Sequence, residues 1–132
     1  ETNGTAFLDV GCGIGTKMML AQELYRLDVY GIEIDEAMAA QAQSHFPNRF
    51  NVVHGDAMHD ANEMYELADI IWLYRPYRDG DTELALEKQI MDRMKSGAIL
   101  AGGKWQMPTP PVRWQPIVDD WDWTQSGAWQ KP

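Results

Sequence analysis

A single cysteine, Cys12, stands among 132 residues. That excludes an internal disulfide framework and a multi-thiolate zinc site, and a reducing, cytoplasmic setting is the natural expectation. Cations are scarce as well: 11 Lys and Arg against 20 Asp and Glu leave a formal charge of −9. Such a surface repels polyphosphate and disfavours non-specific nucleic-acid binding, short of an insert or a partner that supplies the missing charge. No apolar run approaches the roughly 18 residues of a membrane span. No basic stretch followed by an apolar one heads the chain, so neither a membrane anchor nor a signal peptide is expected. The chain opens at Glu1 rather than Met, a start that processing or a further N-terminal segment would explain. The three histidines, His45, His54 and His59, lack an HxxxH spacing. No metal centre is expected, with His54, His59, Asp56 and Asp60 as the weaker alternative.

What is present is 45% hydrophobic residues, enough for one core, and residues 1–132 read as one domain. Through the first two-thirds, strand and helix patterns alternate. Residues 5–10 form a short apolar run that ends in glycines. Residues 16–27 place Met19, Leu20, Leu24 and Leu27 at helical spacing. Strands are expected at 28–34, 50–54, 69–74 and 98–101. An Ala-rich helix follows Asp35 as its N-cap and stops at Pro47, a weaker helix covers 57–67, and a clear one covers 82–94. In that last helix Leu84, Leu86, Ile90, Met91 and Met94 are placed to face a sheet. Five strands separated by helices predict a doubly wound, mostly parallel α/β sheet of Rossmann-like form, with helices on both faces. Ligands of such sheets sit outside the carboxyl ends of the strands, at the topological switch point.

The strongest local feature is Asp9-Val10-Gly11-Cys12-Gly13-Ile14-Gly15, leaving a strand and entering a helix. Glycines at alternate positions permit positive φ and bring backbone N–H groups close to a ligand, and the helix start favours an electron-rich group. A tight turn without a ligand is the bland alternative. A dinucleotide fingerprint needs glycine where Thr16 stands, so the third glycine comes one residue early and NAD is disfavoured. A phosphate loop needs Gly-Lys-Ser/Thr, and Gly15-Thr16-Lys17 has the order wrong.

The pattern (Asp/Glu)-x-Gly-x-Gly-x-Gly instead resembles the first motif of class I S-adenosylmethionine-dependent methyltransferases, in a minimal or truncated form. The likeness runs from Phe7 to about Leu100. It implies S-adenosylmethionine as cofactor and S-adenosylhomocysteine as product. It places Glu33, 18 residues after Gly15, on the ribose hydroxyls, where a carboxylate suits a vicinal diol. Asp56 is implied to accept from the adenine amino group, with the Ala57 N–H at the ring; Asp56 as the N-cap of the next helix is compatible. Ile34 flanks adenine or is an ordinary core residue. Asp9 lies near the methionine ammonium, and Gly11, Gly13 and Gly15 form the loop. Cys12 is a small space-filler beside the cofactor, since no base is visible to activate it.

Residues 74–77, Tyr-Arg-Pro-Tyr, occupy the position of the Asn/Asp-Pro-Pro-Tyr/Phe motif of amino-group methyltransferases, and only Pro76 and Tyr77 match. Tyr74 removes the side-chain carbonyl that holds an amine, which argues against methylation of the adenine exocyclic amine. Tyr74, Arg75 and Tyr77 are the candidate catalytic residues. The tyrosines line the acceptor pocket, Tyr74 also borders the cofactor, and Arg75 holds an anionic acceptor. The alternatives are packing for Tyr77 and a surface pair with Asp79 for Arg75.

Residues 104–132 hold five of the six tryptophans and five of the seven prolines. This tail reads as a loop and two short strands, near 116–119 and 127–130, that close the sheet antiparallel. Trp121, Trp123 and Trp129 are expected in the core, with Trp105 or Trp114 as the walls of an acceptor pocket in the functional alternative. The long helix that the family has after its fifth strand and the N-terminal helices over its substrate site have no counterpart. The expected activity is methyl transfer to a small molecule or protein, nucleic acid being disfavoured by charge. A partner or second copy would complete the acceptor site. A non-catalytic cofactor-binding module or accessory subunit is the rival.

Overall fold

The computed structural model describes residues 2–118 and 122–132. Seven strands form one sheet: β1 (Ala6–Val10), β2 (Asp28–Glu33), β3 (Val52–His54), β4 (Ile70–Leu73), β5 (Ile99–Gly102), β6 (Gln115–Pro116) and β7 (Gly127–Gln130). Four helices, α1 (Thr16–Tyr25), α2 (Glu36–Gln43), α3 (Asn62–Leu67) and α4 (Gly80–Arg93), connect the first five. The sheet order is β3-β2-β1-β4-β5-β7-β6. The first five strands run parallel, and β7 enters antiparallel against β5 and carries β6. The expected α/β architecture and its antiparallel closing strands are therefore present.

Register brings the strand ends level. Val10 stands opposite Ile32 on one side and Leu73 on the other, Glu33 opposite His54, and Leu73 opposite Gly102. The chain leaves β1 for β2 and β3, then returns to β4 on the far side, so the switch point lies between β1 and β4. Period-two alternation splits β1 between two cores. Leu8 and Val10 join Ile71, Leu73, Leu86, Ile90 and Leu100 beneath α3 and α4. Phe7 joins Met18, Ala21, Val29, Ala39, Ala42 and Val52 beneath α1 and α2. Asp9 shares the Phe7 face and is buried.

Several expectations are corrected. On α1, Met18 and Ala21 are buried, whereas Leu20 and Leu24 are 53% and 66% exposed. The reason lies in β2. A Cβ at Gly31 would come within 2.6 Å of Met18 Sδ and 2.8 Å of Cys12 Sγ, so α1 docks closely through the side over that glycine. Residues 50 and 51 are not strand: Arg49–Asn51 is a 3₁₀ turn, held by Asn48 Oδ1 on the Phe50 N–H (2.9 Å). The weak helix shrinks to α3, because Asp56 and Asp60 fold residues 56–60 into a turn of their own. Asp35 does cap α2, accepting from Met38 N at 2.9 Å.

In α4 the inward face carries Glu83 and Glu87 beside Leu86, Ile90 and Met91, and Leu84 is only half-buried. In the tail, Trp123 and Trp129 are buried and Trp105 stacks on Trp123, with centroids 4.9 Å apart. Trp114 packs in a groove with Met91, Met107 and Lys131, away from the glycine loop. Trp121 and Asp119, expected in the core and in a closing strand, lie outside the described residues. No helix among the described residues is long and apolar enough to cross a membrane.

Candidate functional site

Between β1 and α1 the chain must reverse within five residues, and Gly11, Gly13 and Gly15 do so at φ 77°, 57° and 90°. These left-handed values favour glycine. Four of the loop's N–H groups are taken up within the fold. Gly11 N and Cys12 N donate to Ile32 O (2.9 and 3.0 Å), Gly15 N donates to Cys12 O (3.0 Å), and Gly13 N donates to Glu33 Oε1 (2.8 Å). Gly13 offers a ligand close approach to a bare Cα, since a Cβ there would meet nothing within 4 Å, whereas a Cβ at Gly11 or Gly15 would face Pro76 or Ala42.

Glu33 is the keystone of this arrangement. It ends β2, and its second oxygen accepts from Asp35 N at 2.9 Å. A carboxylate has about four lone-pair sites, so two remain for an outside donor. Beyond β3, the Gly55 N–H donates to Glu33 O (3.0 Å), and a Cβ at Gly55 would strike Asp60 at 2.8 Å. Asp60 Oδ2 accepts from Asp56 N (2.8 Å), while Asp56 Oδ1 accepts from Met58 N (2.9 Å). Asp56 therefore organises a turn rather than capping α3.

A groove of about 110 Å³ runs over these residues, lined by Gly11, Ile32, Glu33, Ile34, Gly55, Ala57, Pro76 and Tyr77. It is smaller than the ~300 Å³ and upward of complete small-molecule pockets, so it encloses one ring-sized portion of a ligand. Ile34 is 61% exposed and offers an apolar face there. Of the residues singled out in the sequence, Gly11, Glu33, Ile34, Ala57 and Tyr77 meet in this groove. Asp56 joins them through a hydrogen bond from the Tyr77 hydroxyl. That bond holds Asp56 below the usual carboxylate range, with the Met58 N–H adding to it.

Two buried groups lie under the loop. Asp9 is raised to about 7 by burial, against the pull of Lys17 and with the repulsion of Glu33 added. Burial also pushes the Cys12 thiol up to about 12, so it stays protonated and inert.

The 74–79 loop turns at Arg75, at φ 49°, whose guanidinium donates to Arg78 O (3.0 Å). The alternative pair with Asp79 is not formed, because Asp79 is taken up by Thr82 N and Oγ1 as the cap of α4. Tyr74 is 42% exposed, and Lys104 Nζ lies 5.5 Å from its ring centroid. Tyr77 turns away from Tyr74 toward Asp56, so the three candidate catalytic residues do not converge. Glu83 and Glu87, which sequence reasoning passed over, hold the two loops of this rim. Glu83 Oε2 accepts from Tyr77 N (3.2 Å), and the Glu87 oxygens accept from Gln106 N (2.7 Å) and Met107 N (2.8 Å). Burial lifts Glu83 to about 7. Their signal was available: acids at 83 and 87 share the helical stripe of Leu86 and Ile90.

No curated protein matches the chain. Among solved structures, the RNA methyltransferase from Salinibacter ruber, in complex with S-adenosyl-L-homocysteine, superposes with a TM-score of 0.63 at 16% identity, covering 96% of this chain and 79% of that one. A SAM-bound amino pentose methyltransferase from Micromonospora echinaspora gives 0.63 at 20% identity, covering 86% and 49%. The plantazolicin methyltransferase BpumL, solved with a substrate analog and SAH, gives 0.61 at 18% identity, covering 74% of this chain. The present chain spans only 38% of that protein's length. At such identities the likeness is one of fold. A family model described as "Methyltransferase domain" matches residues 7–95, and on that match the chain belongs to the methyltransferase domain family.

Proposed function

We propose that residues 1–132 act as one unit that binds S-adenosylmethionine across the glycine loop and passes its methyl group to an acceptor, with S-adenosylhomocysteine as product. The observation that carries the reading is Glu33, locked onto the Gly13 N–H at the carboxyl end of β2, beside the glycine loop. This carboxylate stands ready for a vicinal diol without reorganisation. Asp56, Ala57 and Ile34 hold the adenine end in this assignment. Asp9 faces the ammonium, Gly11, Gly13 and Gly15 admit the ligand's length, and Cys12 fills space beneath them. The bound cofactor supplies an electrophilic methyl on a sulfonium. The chain's own task is to bind, align and exclude water, and the acceptor end falls to Tyr74 and Arg75.

The net charge of −9 favours a small-molecule or protein acceptor over nucleic acid, in a cytoplasmic setting, with a partner or second copy completing the rim. A second reading, a binding module without turnover, draws on one observation: Tyr74, exposed under Lys104, carries no amide or carboxylate to hold an amine.

Calorimetric titration with S-adenosylmethionine, S-adenosylhomocysteine and NAD tests the cofactor. Micromolar binding of both sulfur ligands without NAD is the expected result. Binding of NAD alone, or of none of the three, overturns the proposal. Methyl release to any acceptor then separates enzyme from module.

A further inference from the structure

The groove described above has an unusual wall. Pro76 stands so close to the glycine loop that a Cβ at Gly11 would lie 2.9 Å from its Cβ. Tyr77 follows it into the groove. The chain is thrown there by the left-handed turn at Arg75 and held by Glu83 on the Tyr77 N–H. A backbone strained at one residue and fixed by a buried acid at another implies a placement that matters. The phenol ends on Asp56 Oδ1, which also receives the Met58 N–H. Among the described residues, both donors fall on that one oxygen, and Oδ2 is left for a donor from outside.

We infer that Tyr77 is a positioning residue for base recognition. By saturating Asp56 Oδ1 together with Met58 N–H, it fixes the carboxylate as an acceptor-only group toward the base, selecting an exocyclic amino group over a carbonyl. The inference rests on the cofactor assignment just proposed. A locked, ionised carboxylate accepts and cannot donate. A 6-amino purine therefore satisfies it, while a 6-oxo purine sets oxygen against oxygen. Tyr77 is suited to the role because burial, with the hydrogen bond to Asp56, pushes its phenol up to about 12. It remains a donor at every working pH. Without it, Asp56 swings about Met58 N–H or takes up a proton, and discrimination falls.

The test compares S-adenosylhomocysteine with its deaminated counterpart, S-inosylhomocysteine, by calorimetry on the full chain. The wild type is expected to prefer the adenosyl ligand by about a hundredfold or more. Tyr77→Phe keeps the ring and loses the donor. It is expected to bind S-adenosylhomocysteine about tenfold more weakly and to narrow the preference by a similar factor. Tighter binding in Tyr77→Phe would mean that the phenol blocks the slot. An equal loss for both ligands would mean that it only supports the fold. Either result overturns the proposal, as do unchanged affinities.

Asp56→Asn provides a second arm that does not depend on Tyr77→Phe folding. Its amide oxygen should take both donors and turn the NH₂ toward the base, inverting the preference to the inosyl ligand. A mere levelling refutes the lock. If the wild type binds neither ligand, the cofactor assignment itself fails. If it binds and Tyr77→Phe behaves as wild type, only the role of Tyr77 fails.

Discussion

Asp9→Asn separates what the site needs from what the fold needs. Asp9 sits on the β1 face beneath α1 at 3% exposure, and burial raises it from 3.8 to about 7. The unfolded chain ionises it near the lower value, so the folded state binds its proton more tightly. Stability from this group is therefore present in acid and lost as pH rises from about 4 to about 7. The shift of roughly three pKa units amounts to about 4 kcal/mol across the whole interval, of which about 2.5 kcal/mol falls between about pH 5 and pH 8. Asparagine carries no charge to desolvate, but its amide donors add a penalty of about 1–3 kcal/mol where they stay unpaired. That penalty does not change with pH, so the difference between two pH values isolates the charge.

Urea unfolding of wild type and Asp9→Asn at about pH 5 and pH 8 reads it directly. The variant is expected to gain about 2.5 kcal/mol on the wild type between the two conditions. A stability difference independent of pH, or one that moves against the variant at the higher pH, refutes the reasoning. Ligand binding supplies the opposite sign. An ammonium is held by the ionised carboxylate, so wild-type affinity for S-adenosylhomocysteine should climb through about pH 7 and the variant's should not. Charge at Asp9 would then destabilise the fold and serve the site at once, the usual position of a functional residue.

Three further variants probe the frame around it. Glu33→Ala frees the Gly13 and Asp35 N–H groups and removes the diol acceptor. Calorimetry with S-adenosylhomocysteine should show a loss of about 1.5–3 kcal/mol, and unchanged affinity would remove Glu33 from the ribose. Glu87→Ala orphans two backbone donors, at Gln106 and Met107. It should lower unfolding free energy by about 2–4 kcal/mol, whereas a neutral result would show that these N–H groups find water. Gly102→Ala drives a Cβ into Leu73 O at φ 139°. The sheet must open there, so a loss above about 3 kcal/mol or no folded protein is expected, and a near-native melting curve would contradict the packing of β4 on β5.

Elements whose cause is local were legible in the sequence. Alternating glycines after an apolar run define the β1–α1 turn, Asp35 caps α2 by its own side chain, and Glu33 follows from the length of β2. Where a partner distant in sequence decides, local pattern fails. Leu20 and Leu24 have the spacing of a buried stripe, yet α1 turns Met18 inward because Gly31 makes room for it. Phe50 has strand propensity, but Asn48 folds its neighbourhood into a turn.

The rim of the site shows the same limit most clearly. Composition assigns Glu83 and Glu87 to solvent, and helical period assigns them to the core beside Leu86 and Ile90. The two rules conflict, and in a foldable sequence such a conflict marks a place where something other than stability is being specified. The structure resolves it through backbone groups. Glu83 takes the N–H of Tyr77, and Glu87 takes those of Gln106 and Met107, 19 and 20 residues away. One turn of α4 thus sets both the loop that carries Tyr77 to Asp56 and the loop that follows β5. The two loops are thus held by buried acids that no motif contains, whereas the turn between β1 and α1 follows from its own glycines. A search for the groups that place such loops in chains of this fold should therefore begin with acids that interrupt an apolar helical stripe after the fourth strand.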